Sequence, residues 1–329
     1  MEKLKHKLAE TGIRPETIEQ IAEFVGEPPA GSVDKDDFHS ADDRTMLLNT
    51  LIVLSFDLPT FTEPVLLILS KLMRDEGSLS DYDKGRLFHV KGFLEWKLNN
   101  AVYAACHSLN RSIEHLTASD YANSAFYLAR VHDVYGQILK SEGLLNDARD
   151  EYEISLSLRE HSGDLYGKAI TLGNLGRLNA DLGNFKNAIE YLTQDLNIVR
   201  YEFENKNLEA QLLNTIALCL IETGDFERAE EYIRSSMELN SELNNPAGQC
   251  LNYITLLTWH LRLCNVPLAT DCLTEINTLL NLEKIPAYLL HHIEAEKLKL
   301  TAELNFQIDH FAEAEKLYQA AVELYLGSS

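Results

Sequence analysis

Eleven histidines, five cysteines and 51 carboxylates are enough for metal binding or acid–base work, so their spacing decides whether either is built. His310 and Glu313 lie one helical turn apart, and His291 and His292 sit near Glu294. Neither set reaches the three or four convergent ligands that a metal site needs. The run Gly163-Asp164-Leu165-Tyr166-Gly167-Lys168 glances at a phosphate loop. It has three residues between its glycines where that motif needs four, and Ala169 where it needs Ser or Thr, so it reads as a turn. No Gly-x-Ser-x-Gly elbow occurs. Asp147, Asp150, Glu151 and Glu153 read as a solvated helix face. Cys106, Cys219, Cys250, Cys264 and Cys272 contain no Cys-x-x-Cys pair and fall mostly in apolar helical patterns, which suits free thiols in a reducing cytoplasm. The expectation is a chain with no catalytic residue, no metal and no cofactor.

The elements that position the polar side chains show themselves through a repeat. From Ala169 to Leu196, Leu172, Leu175, Leu178 and Leu182 recur at helical spacing, Gly183-Asn184 interrupts, and Phe185, Ala188, Ile189 and Leu192 resume. Gly in a helix interior costs about 1 kcal/mol against Ala, so Gly176 reads as a point of close helix approach. The signature is a small residue, then Gly183 seven positions on, an aromatic residue two beyond that, and Ala five beyond the glycine. It recurs as Gly136, Gly143, Leu145, Ala148 and as Ala217, Gly224, Phe226, Ala229. Weaker copies are Gly92, Asn99, Ala101, Ala104, then Leu257, Cys264, Val266, Ala269, then Ala302, Asp309, Phe311, Ala314. Their alanines are spaced 44, 40, 41, 40 and 45 residues apart. Pro64, with Phe61 before it, marks an eroded seventh unit. A non-repetitive helical bundle has no reason to hold such a period, whereas stacked repeats do.

The motifs Asn174-Leu175-Gly176, Leu182-Gly183-Asn184-Phe185 and Ala188-Ile189-Glu190-Tyr191 resemble the tetratricopeptide repeat over roughly residues 85–326. The period near 40 is closer to the longer-helix members seen in kinesin light chains, the cell-polarity adaptor LGN and Rap-type bacterial regulators than to the usual 34. The resemblance implies an all-α, right-handed solenoid of about six to seven helix-turn-helix units with an N-terminal helical extension. It divides the chain into a hairpin and linker over 1–40 and a solenoid over 41–329. The repeats then cover 41–80, 81–120, 121–162, 163–203, 204–244, 245–285 and 286–326.

In that family the first helix of each pair lines a concave face that grips a peptide or partner helix. Steps of three and four keep residues on one side of a helix. Carried over, the face comprises Arg130, Asp133, Gln137, Lys140, Asn174, Arg177, Gln211, Asn214, Leu218, Leu251, Ile254, Thr258 and Lys299. Asn and Gln suit main-chain recognition, because each amide both donates and accepts. Leu218, Leu251 and Ile254 suit an amphipathic segment, and Leu251 and Ile254 equally suit core between helices. Chaperone adaptors of the family hold a carboxylate with a Lys, Asn and Arg clamp. Asn174 fits one corner, but Asp133, Gln137, Gln211 and Thr215 stand where the others belong.

Lys and Arg number 29 against the 51 carboxylates, a net charge of −22. That field opposes nucleic acid and anionic membranes and favours a basic protein or peptide partner. A helix-turn-helix could be read near the N-terminus, but PETIEQIAEF carries Glu16, Glu19 and Glu23 and no basic residue. MEKLKHKLAE holds no apolar signal segment, and the apolar run Leu47–Leu58 is too short for a membrane span. Glu27–Asp43 reads as a linker, with Ser40 or Asp42 as the next N-cap. Lys3, Lys5 and Lys7 could place the first residues in an acidic groove as a blocker. The apolar Leu317, Ala320, Ala321, Leu324 and Tyr325 at the other end predict an output domain or a second copy packed there. The readings are a cytoplasmic binding module of a bacterial signalling protein, a Rap-type receptor for a signalling peptide, or a homodimer through terminal repeats.

Overall fold

The computed structural model describes residues 5–6, 8–9, 14–26, 43–55, 58–74, 76–281 and 285–327. Among them the secondary structure is helical, with no strand. Residues 5–6 and 8–9 are helical, and after them, among the described residues, α1 (Pro15–Gly26) precedes seven pairs: α2 (Asp43–Leu54) and α3 (Leu58–Arg74), α4 (Asp81–Asn99) and α5 (Val102–Ala118), α6 (Ser124–Ser141) and α7 (Leu145–Ser162), α8 (Leu165–Asp181) and α9 (Phe185–Ile198), α10 (Lys206–Thr223) and α11 (Phe226–Glu242), α12 (Pro246–Arg262) and α13 (Val266–Leu280), α14 (Ala287–Gln307) and α15 (Phe311–Gly327). A short π-helical stretch, Val199–Phe203, continues α9. The chain divides into two compact units, Met1–Thr171 and Leu172–Ser329. Ser40, Asp42, Lys3, Lys7 and the linker through 42 lie outside the described residues; Lys5 pairs with Glu19 at 2.5 Å.

The turns inside the pairs show why the repeat has its punctuation. Gly143, Gly183 and Gly224 adopt φ of 76°, 74° and 79°, the left-handed region that a side chain resists. There the chain folds back its N–H groups onto the helix it has just left: Gly183 N donates to Ala180 O at 2.9 Å and Asn184 N to Asn179 O at 2.8 Å. Cys264 and Asp309 hold the same conformation in the two later pairs without glycine. The next helix often starts on a side-chain cap, as where Asp225 accepts from Arg228 N and Asn265 from Leu268 N.

One register is corrected. The left-handed residue between α4 and α5 is Asn100, not Asn99, and the buried alanine is Ala105, fully covered, while Ala104 is half-buried. The fourth residue of every second helix from α5 on is then a buried alanine: Ala105, Ala148, Ala188, Ala229, Ala269 and Ala314. Two adjacent asparagines concealed the shift, since either tolerates the turn. Gly92, Gly136 and Gly176 are the seats for a large residue of the paired helix, one turn past its alanine. A Cβ on each would stand 2.9 Å from Leu109, 2.7 Å from Tyr152 and 2.5 Å from Leu192.

The Met1–Thr171 unit packs Leu8, Ile21, Leu48, Leu51, Ile68, Leu87 and Leu109 into one apolar core. In the other unit one cluster surrounds Leu192, Leu213, Ile216 and Ile233, and a second surrounds Ile254, Leu257, Ile276 and Leu300. In α15, Leu317, Ala320 and Leu324 are half-buried and Ala321 is buried, while Tyr325 is exposed together with Phe311, Tyr318, Val322 and Leu326.

Candidate functional site

The Leu172–Ser329 unit contains a cavity of about 750 Å³ bordered by α10, α12 and the turns beside them. Its wall is made of amides and small groups, with Asn207, Gln211, Asn214, Thr215, Asn240, Asn245 and Gly248 beside the apolar Leu243, Leu251 and Leu289. Among the described residues Arg177 is the one charged side chain on it.

The amides are held in place by a buried chain of hydrogen bonds. Asn240 Nδ2 donates to Asn252 Oδ1 at 2.8 Å, and Asn252 Nδ2 donates to Ser236 Oγ at 2.8 Å and to Asn214 Oδ1 at 3.0 Å. Asn245 Nδ2 donates to Asn240 Oδ1 at 3.0 Å, while its Oδ1 caps α12 by accepting from Gly248 N at 3.1 Å. Buried amides are costly unless paired, so a connected chain of them fixes rotamers rather than adding net stability. Gly248 leaves room for this arrangement, because a Cβ there would strike Asn240. Ser236 Oγ also reaches Ala210 O at 2.7 Å, tying α11 to α10. Asn214, which lines the cavity, spends its oxygen on Asn252, so the donors it has left are its amide N–H groups.

Beside this cavity Arg177 Nη2 donates to Asn174 Oδ1 at 3.1 Å. The Asn174 Nδ2 group and Asp195 Oδ1 are buried without a hydrogen-bond partner. Burial pushes the Asp195 carboxyl up to about 7, with the Arg177 guanidinium pulling the other way.

The Met1–Thr171 unit holds a smaller cavity of about 190 Å³, lined by Ile52, Ser55, His89, Val90, Phe93, Arg130, Asp133, Val134, Gln137, Arg159 and Ile170. Asp133 is engaged on both oxygens, by Arg159 Nη2 on Oδ2 and by Thr171 Oγ1 at 3.0 Å on Oδ1. Arg159 also reaches Asp164 at 3.2 Å and Ser155 at 3.2 Å. His89 is buried with neither ring nitrogen bonded, and burial beside Arg130 and Arg86 lowers it to about 3, so the ring is neutral.

Of the residues expected on the binding face, Arg177, Gln211, Asn214 and Leu251 line the amide cavity, and Arg130, Asp133 and Gln137 line the smaller one. Lys140, Asn174, Leu218, Ile254, Thr258 and Lys299 line neither. Ile254 is core, 6% exposed, which settles its two readings toward packing. Asp133 is a buried ion-pair partner rather than an exposed contact. Thr258 returns its hydroxyl to Ile254 O at 2.9 Å, and Lys299 pairs with Glu296 at 2.5 Å. Sequence reasoning missed Asn240, Asn245 and Asn252, which sit in a second helix, in a turn and one position off the chosen face, and Asn207, which opens α10 one turn before Gln211 on the same face. The clustering of asparagines around 205–214 and 240–252 was the available signal. His89 gave none, standing in an apolar helix like any core histidine.

Among the described residues no group of three His, Cys, Asp or Glu is placed to hold a metal, and no helix is long and apolar enough to cross a membrane. No curated protein sequence matches the chain. Residues 171–206 and 210–243 each match a model of the tetratricopeptide repeat. Similar solved structures include the apo form of RapI, 13% identical over 86% of this chain and 98% of that one, with a TM-score of 0.65. Aspartyl phosphate phosphatase F from Bacillus subtilis is 12% identical over 98% and 83%, at 0.65. A Rap protein complexed with competence and sporulation factor is 14% identical over 99% and 98%, at 0.55. Residues 171–206 and 210–243 are thus tetratricopeptide repeats, set in an all-α fold of helix pairs that these solved structures share.

Proposed function

We propose that the chain is a non-catalytic cytoplasmic receptor that takes a short peptide, or an extended segment of a protein partner, in the amide cavity of the Leu172–Ser329 unit. The observation that carries this is the row Asn207, Gln211 and Asn214 along one face of α10, braced from behind by Asn240, Asn245 and Asn252. An extended backbone presents alternating donors and acceptors, and fixed amides answer both. Leu243, Leu251 and Leu289 offer an apolar side chain a place beside them. A net charge of −22 draws basic partners toward the chain before contact. The Rap protein that carries competence and sporulation factor shares the fold and supports a signalling-receptor role.

Selection of random short peptides on the full chain tests this reading. Enriched sequences should bind the wild type at least tenfold more tightly than Asn214→Ala or Gln211→Ala. Failure to enrich, or equal affinity across the three proteins, overturns it. A homodimer through α15 is the second reading, favoured by exposed Tyr318, Val322, Tyr325 and Leu326. A sedimentation mass that stays monomeric across concentration removes it.

A further inference from the structure

We propose that Asn252, buried behind the amide cavity, decides what the cavity reads: it fixes Asn214 as a hydrogen-bond donor, which a bound segment answers with a main-chain carbonyl. This rests on the peptide reading above and gives it a direction. Asn252 is fully covered and does not line the cavity, so it acts only through Asn214, as a positioning residue.

A side-chain amide presents oxygen or N–H according to which way round it sits, and its neighbours decide. Here two main-chain groups make the choice, because each can play one part only. At one end Ala210 O can only accept. Ser236 therefore gives it the hydroxyl proton, at 2.7 Å, and has only lone pairs left for Asn252. Asn252 must then bring Nδ2 to Ser236, at 2.8 Å, which turns its oxygen to Asn240 Nδ2, also at 2.8 Å. At the other end Gly248 N–H can only donate. It holds Asn245 Oδ1 at 3.1 Å, which leaves Asn245 Nδ2 for Asn240 Oδ1 at 3.0 Å. Both ends impose the same direction. Turning Asn252 over would set its oxygen against the Ser236 lone pairs and its N–H groups against Asn240 Nδ2, two bonds lost inside the fold.

The second N–H of Asn252 then falls on Asn214 Oδ1, at 3.0 Å. Asn214 is half-buried on the cavity wall, and with its oxygen engaged it has N–H groups to give. A carbonyl accepts from such a group and an N–H cannot. The choice between them is made at Ala210, Ser236 and Asn252, before any ligand arrives.

Two measurements on the full chain test this. In protein labelled with nitrogen-15 at asparagine, NMR should show both side-chain N–H groups of Asn252 exchanging with water at least tenfold more slowly than those of Asn214. Comparable rates overturn the relay, with no ligand or variant involved. For the second, the tightest peptide selected on the wild type is made with each carbonyl oxygen in turn replaced by sulfur, a weak acceptor. At one position the replacement should weaken binding about tenfold, the worth of one hydrogen bond. Asn252→Asp at about pH 8, where a carboxylate only accepts, turns Asn214 over, and sulfur at that position should then cost less than twofold. Asn214→Asp keeps the buried relay and should show the same indifference, which decides the donor's part where Asn252→Asp fails to fold. A merely structural Asn252 would weaken every analogue alike and preserve the sensitive position, which overturns the proposal. So does a wild type indifferent to every sulfur while the parent peptide binds. A chain on which no peptide enriches removes the peptide reading instead, and this ligand with it.

Discussion

Asp195 occupies the eleventh position of α9, where α5, α7 and α11 carry Ser112, Ser155 and Ser236. A carboxyl there is buried with one oxygen unbonded, and it titrates near 7 in the folded chain against about 3.9 when exposed. The folded state therefore holds a proton that the unfolded state has released between those values. Its contribution is fully present below about pH 4 and is lost as pH rises through 7. Asp195→Asn should raise stability at pH 8 by about 1–3 kcal/mol and flatten the slope between pH 5 and 8, as read by urea unfolding. Asp133 is held by Arg159 instead, although burial pushes its carboxyl up as well. Arg159→Met alone strands a buried carboxylate and should cost about 3–5 kcal/mol, and adding Asp133→Asn should recover most of it. Neither role was legible in the sequence. Helical spacing places Asp133 on the same face as Arg130 and Gln137, and only the third dimension brings Arg159 and Thr171 against it. Asn174, Gln211 and Asn214 were legible as amides, but the bracing of Asn214 by Asn252, 38 residues on, and of Asn252 by Asn240 was not.

At the scale of the helix pair the sequence was far more informative. Leucine periodicity, Gly183, Gly224 and the anchoring alanines mark where helices stop, turn and touch, because each is a local steric demand. The register failed only at Asn99-Asn100, where one tolerant residue follows another. Cys264 shows what the glycine rule is worth. It is an exposed residue at φ 54° in a turn that glycine occupies in three other pairs. Cys264→Gly should stabilise the chain by about 0.5–1 kcal/mol in thermal unfolding, the relief of a left-handed Cβ exceeding the extra entropy that glycine gives the unfolded chain. Gly176→Ala should do the reverse, costing about 1–3 kcal/mol by forcing Leu192 away, and Leu192→Ala in the same chain should return part of it.

Across the whole molecule the excess of 22 negative charges acts at a distance that no single site controls. A lysine-rich peptide selected on the amide cavity should associate roughly tenfold more slowly at about 0.5 M salt than at about 0.05 M, with dissociation little changed; stopped-flow fluorescence resolves the two rates. The eleventh position of the second helices also bears on how such a protein can diverge. From α5 to α15 it reads Ser112, Ser155, Asp195, Ser236, Ile276 and Ala321, all buried, so hydroxyl and carboxyl seams give way to hydrocarbon. Adjoining hairpins must agree on what they bury, and Asn252 answers Ser236 where an aliphatic neighbour could not. Hairpins in this chain are therefore not interchangeable modules. Recombination that shuffled α10–α11 with α14–α15 would set unmet hydroxyls against oil, and this constrains the order in which new copies can be inherited.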